Sequence, residues 1–278
     1  METPEPPPLP APAPAPVAAG EQRNRPVAGF FLDLAIAVGA MLFLSVACGM
    51  AWAMSAGVRL GLQGTATLDP AALMRSIGQP GAIAMIWMTL VSTGGAALVV
   101  YFWRRRATPA ERALSLQASR KISTWGWVLA TAAATFFFST AITGLSQLLG
   151  VEPEPTNLAV IEAAFLTNPL FLALFGVLIA PAYEELLFRR VLFGRLWAAG
   201  RPWLGVALSS AAFALMHEIP GTSGNSWQAT GVLWLTYGFM GAAFSLVYWR
   251  TRTLWASIAA HALNNAVALV LVRLYGGA

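Results

Sequence analysis

Seven apolar segments can be read along the chain, at 29–55, 80–103, 124–147, 168–192, 203–219, 229–249 and 254–274. Each is near the length of about 20 residues that carries a helix across a bilayer. The fifth is the shortest, and the fourth is interrupted by polar residues. The stretch 150–180 leaves room for a further half-span or re-entrant piece. The pattern predicts an all-α, polytopic transmembrane bundle of about seven to eight helices.

Composition agrees with that pattern. Of 278 residues, 57% are hydrophobic and only 10% are charged, and the mean hydropathy is +0.63. Soluble domains carry about 25% charged residues, so this chain has too little polar surface to stay in water. Residues 1–27 stand apart as a Pro/Ala-rich stretch, expected to be a disordered cytoplasmic tail, with 28–278 forming the membrane domain. The tail is long and proline-rich rather than short and basic, so it is not read as a signal peptide. Cys48 is the only cysteine, which excludes an intrachain disulfide and any cysteine-based metal cluster.

The net charge of +5 is distributed unevenly. Arg23 and Arg25 precede the first segment, and Arg104, Arg105, Arg106, Arg112, Arg120 and Lys121 fall between the second and third. Arg195 and Arg201 lie between the fourth and fifth, and Arg250 and Arg252 between the sixth and seventh. Every second loop is basic, which predicts a multi-pass plasma (inner) membrane protein with a cytoplasmic N-terminus and an outer C-terminus. With no soluble basic domain, the charge points to membrane lipids rather than nucleic acid. No internal repeat of the kind that inverted-repeat transporters carry is evident.

An ionisable group at mid-membrane costs roughly 2.5 to 3.5 kcal/mol on insertion scales, so each one needs a reason. Asp33 sits at the start of the first segment and reads as a helix-start carboxylate near the membrane surface. Glu184, Glu185, Arg189 and Arg190 fall in the fourth, His217 and Glu218 end the fifth, and His261, Asn264 and Asn265 fall in the seventh. Glu185 and Arg189 are four residues apart and can pair on one helix face. Glu184 is rotated about 100° away and stays free. His261 and Asn265 also share a face.

Such a set could hydrolyse an amide. A poorly solvated carboxylate can act as base toward water, an imidazole can share that water or protonate the leaving amine, and His and Asn N–H groups can donate to an oxyanion. Zinc held by Glu184, His217 and His261 is the alternative, although the helical HExxH motif is absent. A non-enzymatic membrane protein, such as a proton-coupled transporter or an immunity or scaffold protein, is the rival reading.

Three patterns narrow the choice. EELLFR occurs at 184–189, FALMH at 213–217 and HALNN at 261–265. In that order, over about 125–275, they resemble the CPBP family of intramembrane proteases. That family comprises CAAX proteases and bacteriocin-processing or self-immunity proteins (the Abi family), with type II CAAX prenyl endopeptidases as its eukaryotic relatives. The resemblance implies a catalytic core at 125–275 and a membrane-associated peptide or protein substrate, in the eukaryotic relatives a prenylated CAAX protein. It implies Glu184 as the water-activating base with His217, His261 and Asn265 as oxyanion stabilisers, and Glu185 and Arg189 as supports. A glutamate mechanism needs no cofactor, whereas a metal mechanism would use zinc. The family often has Gly after the arginine, where this chain has Arg190.

Overall fold

The structure is a computed structural model that describes residues 25–64 and 69–275. Most of the tail assigned to 1–27 lies outside the described residues. Among the described residues there are ten helices: α1 (Pro26–Leu62), α2 (Pro70–Ile77), α3 (Ala82–Arg104), α4 (Pro109–Ser119), α5 (Ile122–Leu148), α6 (Leu158–Thr167), α7 (Pro169–Ala198), α8 (Pro202–His217), α9 (Trp227–Thr251) and α10 (Leu254–Tyr275). No strand occurs among the described residues. Six helices, α1, α3, α5, α7, α9 and α10, are long and apolar enough to cross a membrane. Together with the apolar composition, they make this an integral, multi-pass membrane protein.

The fifth apolar segment differs from the rest. α8 has 16 residues, about 24 Å at 1.5 Å per residue, against a hydrocarbon core of about 30 Å. It nevertheless runs antiparallel to α9 along its whole length. Trp203 meets Trp249 edge to face, Ser209 Oγ lies 3.2 Å from Ser245 Oγ, and His217 lies against Tyr237. The loop 218–226 then meets the loop after α5: Asn225 donates to the Glu154 carbonyl at 2.7 Å, and Thr156 donates to Glu218. The end of α8 is thereby held at the same end of the bundle as the end of α5. Gly241 permits the closest approach, because a Cβ there would stand 2.9 Å from Ser210 Cα.

Two features of the sequence reading need correction. The fourth segment, read as ending at 192, continues as helix to Ala198, because Arg195 finds a buried partner instead of marking a loop. That partner is Asp33, which lies at the level of the basic helix ends, as expected of a carboxylate near the membrane surface, and is fully buried within the protein, with Arg104 Nε at 2.9 Å and Arg195 Nη2 at 2.6 Å. The node ties α1 to α3 and α7. Short helices also occur between apolar segments. α4 is set by a capping box, with Thr108 N–H donating to Glu111 Oε2 at 2.8 Å and Glu111 N–H to Thr108 Oγ1 at 3.2 Å. α6 fills the space left open at 150–180.

Candidate active site

α7 carries the centre of the site, and its backbone is irregular there. Widened, π-type turns at Leu174–Ile179 and Leu186–Phe193 flank the α-helical stretch Ala180–Glu185. Pro181 accounts for the first. It has no N–H to give, and the Ala180 N–H reaches back to Phe175 O. The Gly176 carbonyl is thereby left without a donor from its own helix. Asn265 on α10 supplies one, with Nδ2 at 2.8 Å from Gly176 O. An orphaned carbonyl inside a bilayer is tolerated where a neighbouring helix satisfies it in this way.

The two adjacent carboxylates have opposite surroundings. Glu185 is fully buried. Arg189 Nε lies 3.1 Å from its Oε2, His261 Nδ1 lies 2.9 Å from its Oε1, and Ser257 Oγ donates to Oε2. Arg189 is buried as well. Its guanidinium sits over the Phe213 ring at 4.6 Å and the Phe244 ring at 5.4 Å, and Nη2 donates to Gly241 O at 3.4 Å. Aromatic faces compensate part of the desolvation of a buried cation.

Glu184 is 15% exposed, and its buried Oε2 has no hydrogen-bond partner. It faces two imidazoles, His217 Nε2 at 3.7 Å and His261 Nε2 at 3.9 Å. Both rings are oriented from behind. His217 Nδ1 lies 2.9 Å from Phe213 O, a carbonyl that can only accept, so Nδ1 carries the proton and Nε2 of the neutral ring presents a lone pair. His261 Nδ1–H is held by Glu185, and Phe244 stacks on the ring at 4.7 Å. The separations of 3.7 and 3.9 Å exceed a hydrogen bond and suit one intervening water.

A zinc ion makes a sharper demand. Two donors at about 2.0–2.1 Å from a tetrahedral zinc stand roughly 3.3 Å apart. Both separations here are wider, and among the described residues no group of three His, Cys, Asp or Glu could hold a metal ion. As arranged, the three candidate ligands Glu184, His217 and His261 do not fit the ion.

Depth along the helices is mutually consistent. Glu184 lies about 21 Å along α7 from Ala198, and His217 about 22 Å along α8 from Pro202. With α7 ending at 192, Glu184 would have fallen far short of His217.

The structure thus brings Glu184, His217 and His261 together, with Glu185 and Arg189 directly behind. Asn265 lies one helical turn beyond His261, with its amide nitrogen engaged on α7. Arg190 points away, toward α4, where Nη1 and Nη2 meet Glu111 Oε1 and Oε2 at 3.1 and 2.8 Å. Ser257, Phe244 and Tyr237 were missed by sequence reasoning, which had Phe213 only as the first residue of FALMH. Ser257 left a signal, because Ser257, His261 and Asn265 recur every four residues on one face of α10. Phe244 and Tyr237 left none.

Residues 166–267 match the family model of Rce1-like type II CAAX prenyl endopeptidases. A relative from Bacillus subtilis (strain 168), YdiL, is named as a membrane peptidase. It is 28% identical over 181 residues, which cover 63% of this chain and 68% of YdiL. No solved structure matches the chain.

Proposed function

Taking this chain as a member of the CAAX protease family, whose model its residues 166–267 match, we propose that it is an intramembrane endopeptidase of the glutamate type. Its substrate is a membrane-associated protein, of the prenylated CAAX kind by analogy with the family. The supporting observation is the unpartnered Glu184 oxygen facing two imidazole nitrogens inside the bundle.

In this reading one water sits between Glu184 and His217. Glu184 takes a proton from it as its oxygen attacks the scissile carbonyl carbon. Both Glu184 Oε2 and His217 Nε2 are acceptors, so the two protons of the water are directed at them and an oxygen lone pair is turned toward the substrate. The tetrahedral intermediate carries its negative charge on the former carbonyl oxygen. His261, with Nδ1–H held by Glu185, donates to that oxygen through Nε2 in its doubly protonated form. Asn265 is the second oxyanion stabiliser, through the Nδ2 hydrogen that Gly176 does not use. The proton gained by Glu184 or His217 passes to the leaving amine. Glu185 and Arg189 hold His261 in place. No step requires a metal.

The N-terminus lies in the cytoplasm and the protein in the plasma (inner) membrane, following the basic loops. The catalytic core spans about 125–275, the membrane domain 28–278 and the tail 1–27.

The test is cleavage of a lipidated membrane peptide by the purified protein in bilayers, read by mass spectrometry. Wild type cleaves, and a chelator leaves the rate unchanged. His217→Ala lowers it by about 10²-fold or more, the range of a lost acid–base group. Loss of activity on chelation, restored by zinc, would replace the glutamate mechanism by a metal one. A proton-coupled transporter would show no cleavage at all.

A further inference from the structure

The basic face of the bundle holds a cavity of about 1030 Å³ that the proposed reaction does not use. Its walls come from α4, the start of α5, the face of α7 that bears Ala182, Leu186 and Arg190, and the α9–α10 junction. Glu184, His217 and His261 do not line it.

The charge of its lining is unbalanced. Arg112, Lys121, Arg190, Arg250 and Arg252 are set against one carboxylate, Glu111. Glu111 is already bonded to Arg190 through both oxygens. The other four cations have no carboxylate at ion-pair distance among the described residues. Arg250 and Arg252 lie instead over indole rings, with Cζ 5.3 Å from Trp127 and 5.5 Å from Trp197.

Basic loops on one face of a membrane protein need no ligand to explain them. What that rule leaves unexplained is the shape. The cations converge on a concavity, and Arg252 reaches it from a left-handed backbone, φ 58°, which glycine or asparagine adopts at less steric cost. Leu114, Leu186 and Ile258 supply apolar wall between the charges. A ligand that joins an anionic group to hydrocarbon satisfies both kinds of surface. Basic pockets between transmembrane helices are a known way to hold such headgroups.

We propose that this cavity binds the phosphate-bearing headgroup of an anionic phospholipid, with Arg250 and Arg252 at the phosphate and Leu186 and Ile258 against the acyl chains. The site would hold the α9–α10 junction and α4 against α7 and make the protein's stability depend on anionic lipid.

The full chain, purified in neutral detergent, is exposed to equal amounts of phosphatidylglycerol and phosphatidylcholine, and retained lipid is read by native mass spectrometry. Wild type retains phosphatidylglycerol preferentially. Arg250→Gln with Arg252→Asn lowers that preference by about fivefold for each cation removed, with asparagine chosen to keep the left-handed backbone. Arg120→Gln, on the same face but outside the lining, keeps the preference. Should the double variant fail to fold by circular dichroism and size exclusion, Arg112→Gln with Lys121→Gln replaces it with the same expectation. Equal retention of the two lipids by wild type overturns the proposal, as does unchanged preference in a folded cavity variant or equal loss in Arg120→Gln. Displacement of the lipid by inorganic phosphate alone makes the ligand a free anion. Displacement by a soluble acidic peptide makes it a peptide. Either result also overturns the assignment to lipid.

Discussion

Replacing Glu185 by Gln removes the charge that pairs with Arg189 and disturbs the acceptor of His261 and Ser257, inside a fully buried cluster. Breaking a buried ion pair from one side costs about 3–5 kcal/mol, because the remaining charge stays desolvated. Glu185→Gln should therefore lower the unfolding free energy by that order, measured by denaturant titration in detergent. Glu184→Gln should change it little, since its carboxylate makes no hydrogen bond through Oε2 and is reached by solvent. Part of this division could be read from spacing alone: Arg189 follows Glu185 by one helical turn, and Glu184 has no such partner. Ser257 and the rings of Phe213 and Phe244 could not, because their contact with the pair depends on how α8, α9 and α10 pack, and no local pattern encodes that.

At the scale of elements, α7 is held in its irregular form by its neighbours. Asn265→Ala would leave the Gly176 carbonyl without a donor, at a cost of about 1–3 kcal/mol. Pro181→Ala restores a backbone N–H to that turn, so the same Asn265→Ala substitution should cost less in the Pro181→Ala background. A double-mutant cycle of unfolding free energies reads the difference. Equal penalties in both backgrounds would mean that the proline is not the source of the orphaned carbonyl. Sequence reading placed Asn265 on the face of His261 but could not see this bond, which joins residues far apart in the chain.

The contact of α4 with α7 is a second link between elements, and it depends on pH. The Arg190 guanidinium, hydrogen-bonded to Glu111, holds that carboxyl down at about 2, with the Thr108 backbone N–H assisting. A carboxyl depressed in the folded state stabilises above its ordinary value of 4.5 and loses that contribution as pH falls toward about 2. Glu111 is half-exposed, so the energy is small after screening. Hydrogen exchange at 109–119, corrected for its intrinsic pH dependence, should rise as pH falls from 5 to 2 relative to pH 7. Glu111→Gln should exchange faster at every pH and show no such rise. Arg190, where the family often has glycine, is thus directed to α4 and away from the α7 packing that glycine would tighten.

At the scale of the whole molecule, the alternation of basic loops and the antiparallel course of α8 along α9 give the same topology. The apolar segments of the sequence were sufficient to place every helix long enough to cross. They showed the fifth segment as the shortest but not that the loop 218–226 after α8 folds against the loop after α5, because that depends on Glu218 and Asn225 being met by residues after α5. With Cys48→Ser as background, Thr222→Cys should react with a membrane-impermeant maleimide in intact cells. Gln117→Cys, on α4, should react only after the membrane is opened. Labelling of both from the same side would contradict seven crossings.

The most direct measurement compares cleavage rates of wild type and Glu184→Gln, at matched unfolding free energy, on one membrane peptide. A base that activates the attacking water contributes about 10² to 10⁴-fold. Glu184→Gln should therefore lose activity by about 10³-fold while remaining as stable as wild type. A folded Glu184→Gln protein that cleaves at near the wild-type rate would contradict the assignment of Glu184 as the base.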